Sequence, residues 1–212
     1  MTSFLNMTDE RAIEVIRTGI PDLDDALKIG GLPKGQIVEI YGPQGSGKAA
    51  IMFKVIASVQ STGGIAALID AEGIYDTGYT ELFGVKTKDL LVSQPVDGST
   101  ALDTTEKLVQ SGAIDLVVLD SVSALSAENP FSGGMPWKKA MQDLGPSALR
   151  TNTVVLFLRC TRESHPSSAS YMASICLRTR YDEDTRSTTV RVTKNKYAGI
   201  DACDIKTPNP LA

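Results

Sequence analysis

The sequence predicts an α/β domain with a mainly parallel sheet covered by helices on both faces. Three observations carry that expectation. A glycine-rich run, Gly42-Pro43-Gln44-Gly45-Ser46-Gly47-Lys48-Ala49, stands between a β-branched apolar segment and a helix-forming one. Strand-like and helix-like segments alternate through most of the chain. Leu116-Val117-Val118-Leu119-Asp120 is apolar up to its last residue, as expected of a strand buried on both faces of a parallel sheet.

The elements follow in order. Ile37–Tyr41 is short, apolar and β-branched, and reads as a strand. Ala49–Ala57 lacks Gly and Pro and reads as a helix. Gly64–Asp70 is a second strand, Thr80–Phe83 a short helix and Asp89–Ser93 a third strand. Ser99–Gln110 is a helix with Ser99 as N-cap and Gly112 just past its end; Ala101, Leu102, Leu108 and Val109 share one face. Leu116–Asp120 and Thr153–Leu158 are the fourth and fifth strands. Beyond Ala169 the pattern changes. Ile175–Arg178 and Ser187–Thr193 read as antiparallel strands joined by a polar turn that holds Asp182-Glu183-Asp184. The expected organisation is an N-terminal segment over residues 1–35 with at most a short helix, a core over 36–205, and a polar tail over 206–212.

Composition narrows the function. A chain of 212 residues with 42% hydrophobic and 22% charged residues is an ordinary globular domain able to bury a core. No apolar stretch is long enough to cross a bilayer, and the N-terminus lacks a basic region followed by an apolar one. Cys160, Cys176 and Cys203 have no metal-like spacing and fit reduced thiols of a cytoplasmic protein. His165 is the single histidine, which disfavours a histidine metal site or a Ser-His-Asp triad. A net charge of −4 disfavours a globally basic nucleic-acid binder but leaves room for a local basic groove.

The glycine run carries the chemistry. It fits the phosphate-binding pattern G-x-x-x-x-G-K-[ST] at every fixed position except the last. Glycines let the backbone turn successive N–H groups toward phosphate oxygens, and Lys48 adds a charge near the β- and γ-phosphates. The eighth position should be a hydroxyl that ligates Mg²⁺, but Ala49 has none. The loop therefore looks built to hold a nucleotide and poorly equipped to hydrolyse one. Asp120 ends its strand where an acid either helps hold Mg²⁺ or caps the next turn. Asp70 and Glu72 end the second strand, where a carboxylate either orients an attacking water or is simply strand-terminal.

In order along the chain, Arg17-Thr18-Gly19, Leu23-Asp24, Gly30-Gly31-Leu32-Pro33-Lys34-Gly35 and Val38–Pro43 resemble the entry to the bacterial RecA recombinase core. The likeness continues through Ile69–Glu72, Ser93-Gln94-Pro95, Ser111–Asp115, Asp120-Ser121-Val122 and Val192–Lys196, about residues 16 to 200. The resemblance implies a truncated, divergent RecA-like paralogue with the RecA-type P-loop NTPase core. It implies ATP and Mg²⁺ as cofactors, held by Gly42 through Ala50. Glu72 then matches the carboxylate that activates water, and Asp120 the acid at the metal. Asp76 and Tyr79 match positions beside the adenine. Lys194 and Lys196 match cations that reach a neighbouring subunit's nucleotide.

The departures are as specific. Ala49 replaces the metal-ligating hydroxyl, and Arg159-Cys160 stands where the family has Asn-Gln. Both DNA-binding loops look shortened, near Asn129–Trp137 and Thr161–Ala169; the long N-terminal helix is reduced at most to Thr8–Val15; and no C-terminal domain is evident. Full strand exchange is therefore not expected. Single-stranded DNA remains a candidate partner through Lys138, Lys139, Arg159 and Arg162, with Phe131 and Trp137 as stacking residues or as loop packing. Two functions stay open: a RecA-like ATP-binding protein of recombination or repair with weak ATPase, and a catalytically inactive module that binds a recombinase filament, its own copies or another protein. A regulatory NTPase on the same fold ranks third.

Overall fold

The run before the glycine loop forms the strand β3 (Ile37–Gly42), and the loop opens directly into the helix α2 (Lys48–Ser61). The computed structural model describes residues 13–122, 135–161, 168–198 and 204–208, with backbone alone at 135–141, 168–169 and 204–208. Ahead of β3, the two-residue strands β1 (Val15–Ile16) and β2 (Leu32–Pro33) pair antiparallel around the helix α1 (Pro21–Ala26). Val15 is thus strand rather than the end of a short helix; residues 8–12 of that expected helix lie outside the described residues. After α2 come β4 (Ala66–Asp70), α3 (Thr77–Glu81), β5 (Leu91–Ser93), α4 (Gly98–Gln110) and β6 (Leu116–Asp120). The chain continues through α5 (Met135–Thr151), β7 (Val154–Cys160), α6 (Ser168–Met172), β8 (Ile175–Asp182), β9 (Ser187–Asn195) and β10 (Asp204–Pro208).

Eight strands form one sheet in the order β10-β9-β8-β3-β7-β6-β4-β5. The pairs from β8 across to β5 are parallel, and β9 runs antiparallel between β8 and β10. The expected parallel core with antiparallel strands toward the C-terminus is therefore observed. β10 straddles the boundary expected at Lys206: Asp204 and Ile205 fall in the expected core, the remaining three residues in the expected polar tail, and all pair with β9.

Alternation along each strand divides the core. Val38, Ile40, Leu68, Val118, Leu156 and Leu158 face Ile51, Met52, Val55 and Ile56 of α2. Leu23, Leu27 and Leu32 join that cluster, so the segment before β3 packs into the same core. Ile37, Ile69, Val117, Leu119, Val155 and Phe157 form the other face, against Ala101 and Val109 of α4 and Leu144 and Ala148 of α5. Leu102 and Leu108 of α4 are half-buried there, as the expected helix face requires. Asp97, not Ser99, caps α4: its carboxylate accepts from Thr100 N at 2.7 Å, because the helix begins one residue earlier, at Gly98.

One charged pair lies inside the second layer. Arg159 on β7 donates from Nε to Glu39 Oε1 on β3 at 2.6 Å, and Glu39 is fully buried. Ser170 Oγ on α6 donates to Glu39 Oε2. The guanidinium carbon lies 5.0 Å from the Tyr41 ring centroid. Removing one member of such a pair leaves a buried charge without its partner. Arg159→Ala is expected to destabilise the fold by about 3–5 kcal/mol in urea unfolding, and the double change Glu39→Gln with Arg159→Met by clearly less.

Candidate nucleotide site

The ends of four adjacent strands meet at the glycine loop. Gly42, the last residue of β3, is opposite Cys160, the last of β7; Asp70 ending β4 is opposite Asp120 ending β6. Sheet order therefore places β7 between the loop-bearing strand and the strand that carries Asp120. Ligand clefts in parallel α/β sheets form at these carboxyl ends, and here the loop residues 44–50 line a cleft of about 460 Å³ with Glu72, Asp120 and Cys160.

The loop is held by close backbone approach. Gly47, with φ 86°, precedes α2, and a β-carbon there would meet Thr188 Oγ1 at 2.2 Å. A β-carbon on Gly42 would meet Thr179 O at 2.4 Å. Ser46 Oγ and Thr179 Oγ1 are 2.6 Å apart. The N-cap of α2 is Gly47, which has no side-chain acceptor to offer the first-turn N–H groups, and Lys48, Ala49 and Ala50 of that turn line the cleft. Lys48, nearly buried, donates from Nζ to Gly42 O at 3.0 Å and Pro43 O at 2.7 Å. Burial lowers its pKa, partly offset by Cys160, Asp120 and Glu72.

The two acids left open by the sequence separate clearly. Asp70 is buried and accepts from Gly73 N (3.0 Å), Ile74 N (3.3 Å), Tyr75 N (2.9 Å) and Gln94 Nε2 (2.9 Å), so it shapes the turn after β4. Glu72 lines the cleft and accepts a hydrogen bond from Ser121 Oγ. Asp120 also lines the cleft. Burial first, then the negative charges of Glu72 and Asp70, push its carboxyl up to about 7, while Lys48 pulls it down.

Other expected residues fall in different places. Tyr79 lines the cleft and packs edge-on to Phe53 and Phe83, with centroids 6.0 and 5.1 Å away. Asp76 caps α3, its Oδ1 accepting from Tyr79 N at 2.6 Å, and is not among the lining residues. Ala49 and Ala50 line the cleft without a ligating atom. Lys194, on β9, donates from Nζ to Ser170 O at 2.7 Å and Tyr171 O at 3.1 Å, and neither it nor Lys196 lines the cleft. The expected DNA role of Arg159 is corrected: strand alternation turns it to the face opposite the cleft, where it is buried against Glu39, while Cys160 points to the cleft. Lys138 and Lys139 fall on α5, but their side chains, like those of Phe131, Trp137, Arg162, His165 and Cys203, lie outside the described side chains.

Sequence reasoning missed Ser121, Tyr181 and Thr188, all of which line the cleft. The Asp120-Ser121-Val122 run did contain Ser121, and its adjacency to the strand-terminal acid was the available signal. Tyr181 and Thr188 reach the loop only through a long-range strand pairing.

The fold and site thus define a parallel α/β domain in which a glycine loop, its lysine and two strand-end carboxylates converge on one cleft. A family model described as the RecA N-terminal domain matches residues 2–164, and the chain belongs to the RecA family. It is 46% identical over 165 residues to Protein RecA of Thioalkalivibrio sulfidiphilus, covering 73% of this chain and 48% of that protein. Protein RecA of Azoarcus sp. strain BH72 is 43% identical over 173 residues, 76% of this chain and 50% of that protein. Protein RecA of Legionella pneumophila strain Corby is 46% identical over 165 residues, 73% and 47% respectively. The chain spans about half the length of the curated relatives it matches.

The raised Asp120 carboxyl has a measurable consequence for the ligand-free protein. Its pKa is near 3.8 unfolded and about 7 folded, so the folded state binds the proton more tightly. That contribution to stability is complete below about pH 4 and is lost as pH rises through about 7. Asp120→Asn is therefore expected to gain stability over wild type at pH 8, by at most about 4 kcal/mol, with the gain vanishing toward pH 4. Thermal unfolding midpoints across that range check it.

Proposed function

We propose that this chain is a RecA-like ATP-binding protein of DNA recombination and repair, with slow hydrolysis and weak single-stranded DNA binding. The observation that carries the reading is the convergence of the uncapped α2 N-terminus, Lys48, Glu72 and Asp120 on one cleft. The residues present fit a nucleoside triphosphate. Backbone N–H groups of residues 45–50 and the N-terminal end of the α2 dipole supply donors for phosphate oxygens. Lys48 Nζ, now bonded to two loop carbonyls, exchanges them for the β- and γ-phosphates. Glu72, oriented by Ser121, accepts the proton of the attacking water. Tyr79 offers a ring to the adenine.

Mg²⁺ would neutralise charge on the phosphates, with Asp120 as the protein carboxylate beside it. One carboxylate plus phosphate oxygens suits Mg²⁺, but Ala49 removes the usual hydroxyl ligand. Cys160 occupies the strand end between the loop and Asp120, where a thiol is a weak hydrogen-bond partner for phosphate. Hydrolysis is accordingly slow. DNA affinity, which falls to residues near positions 129–139 and 161–169, is weak, sequence-tolerant and salt-sensitive.

A second reading is favoured by the same two residues. With Ala49 and Cys160 in the cleft, the chain acts as a catalytically inactive module that joins its own copies or a recombinase filament. Titration into an active strand-exchange reaction separates the two: modulation without ATPase of its own supports the module.

Calorimetric titration with ATPγS and Mg²⁺ is expected to show binding that Lys48→Ala abolishes; no binding by wild type would overturn the ATP-binding reading. Ala49→Thr is expected to raise ATP turnover by about tenfold, roughly 1.4 kcal/mol of barrier. An unchanged rate would locate the limiting defect at Cys160 or at an incomplete subunit contact.

A further inference from the structure

The β8–β9 hairpin overhangs the glycine loop. β8 pairs with β3 as far as Tyr41 opposite Arg178; Thr179 lies beside Gly42, the last residue of β3, and Arg180–Asp182 continue beyond it. Successive side chains alternate, so Thr179 and Tyr181 share one face and Arg178 and Arg180 the other. Two contacts fix the first face against the loop. Thr179 Oγ1 lies 2.6 Å from Ser46 Oγ and donates to Tyr41 O at 3.3 Å. Thr188, directly opposite Tyr181 in the strand register, sits so close to Gly47 that any side chain there would collide with it. Tyr181, half-buried between these anchors, lines the same cleft as Tyr79.

Sheet order says which end of a nucleotide Tyr181 meets. β8 adjoins β3 on one side; β7 and β6, ending in Cys160 and Asp120, and β4, followed by the turn with Glu72, lie on the other. A triphosphate whose terminal phosphate lies at Glu72 and Asp120 runs across the loop with its nucleoside directed away from those carboxylates. A tyrosine ring offers that end an apolar face.

We propose that Tyr181 is a nucleoside-positioning residue, its ring packing on the base-ribose end of a bound nucleoside triphosphate so that, with Tyr79, the cleft holds a base by two aromatic side chains. The inference rests on the ATP-binding reading above and deepens it. Because aromatic packing tolerates any base, it contributes affinity for nucleosides in general and little discrimination among them.

The test is calorimetric titration of the full chain, with Mg²⁺, by ATPγS and by inorganic tripolyphosphate, which lacks a nucleoside. Tyr181→Ala is expected to weaken ATPγS by about tenfold or more and to leave tripolyphosphate within about twofold, while Tyr181→Phe stays near wild type for both. Tyr181→Trp is expected to change its emission on ATPγS and not on tripolyphosphate. Equal weakening of both ligands, or of neither, overturns the inference. Should Tyr181→Ala fail to fold, a Tyr181→Trp emission indifferent to saturating ATPγS overturns it instead. Lys48-dependent ATPγS binding that ignores residue 181 sinks this inference alone; a wild-type chain that takes up neither ligand sinks the ATP-binding reading with it.

Discussion

Strand register is the constraint on which the site depends. Gly42 and Cys160 end neighbouring parallel strands at one level, and Asp70 and Asp120 end another pair in the same way. A slip of one residue in any of these pairings would reverse every side chain on that strand. Asp120 would leave the cleft, and Leu119 would replace it. The fully apolar interior of β6, from Leu116 to Leu119, resists such a slip weakly on its own, because both faces are buried. The register is fixed instead by the two different layers it must satisfy: Val118 against α2 and Val117 with Leu119 against α4 and α5.

The same constraint concentrates charge. Lys48, Glu72 and Asp120 sit at the mouth of a sheet whose strands exclude water, and their effects on one another follow. Burial disfavours both the ammonium of Lys48 and the carboxylate of Asp120, and each favours the ionised form of the other. Asp70 also repels the Asp120 charge, but its own carboxylate is taken up by four donors and holds the turn that brings Glu72 into the cleft. Two neighbouring acids of the same run therefore divide into one that shapes the backbone and one that faces the chemistry.

How much of this was legible follows from the range of the interactions. β3, the loop and α2 are local, and the sequence displayed them through composition and the glycine pattern alone. β4, β6 and β7 were legible as short apolar runs. α5 was not read, since Gly145 and Pro146 interrupt its helical pattern and tertiary packing of Leu144 and Ala148 overrides them. β10 crosses the boundary expected at Lys206 because its short Asp204-Ile205-Lys206-Thr207-Pro208 run carries no clear strand pattern and its pairing with β9 is what makes it a strand. Arg159 was placed at a DNA face by its charge, although alternation from Phe157, which belongs with Val155, puts Arg159 on the α5 side and Cys160 on the α2 side. The overhanging hairpin was beyond reach: Ser46 and Thr179 are 133 residues apart in sequence.

Lys194 and Lys196 show what a single chain is able to do with the site. Lys194 is opposite Cys176 on β8, and Cys176 is opposite Glu39 on β3. Glu39 is three residues before Gly42, about 10 Å along the strand, and β8 lies between. Lys196 follows Lys194 away from the loop, because β9 runs antiparallel to β8. Within one copy, both cations therefore sit toward the amino ends of the parallel strands, whereas the cleft opens at their carboxyl ends. The proposed contact between them and a nucleotide would fall to the cleft of a second copy. Lys194 would also have to exchange its bonds to the Ser170 and Tyr171 carbonyls for that contact. Burial already disfavours its charged form, and an anion supplied by a neighbour would offset that cost. Under the proposed ATP-binding reading, binding would thus come from one chain's loop and hairpin, and Lys194 and Lys196 would add charge only to the cleft of a second copy.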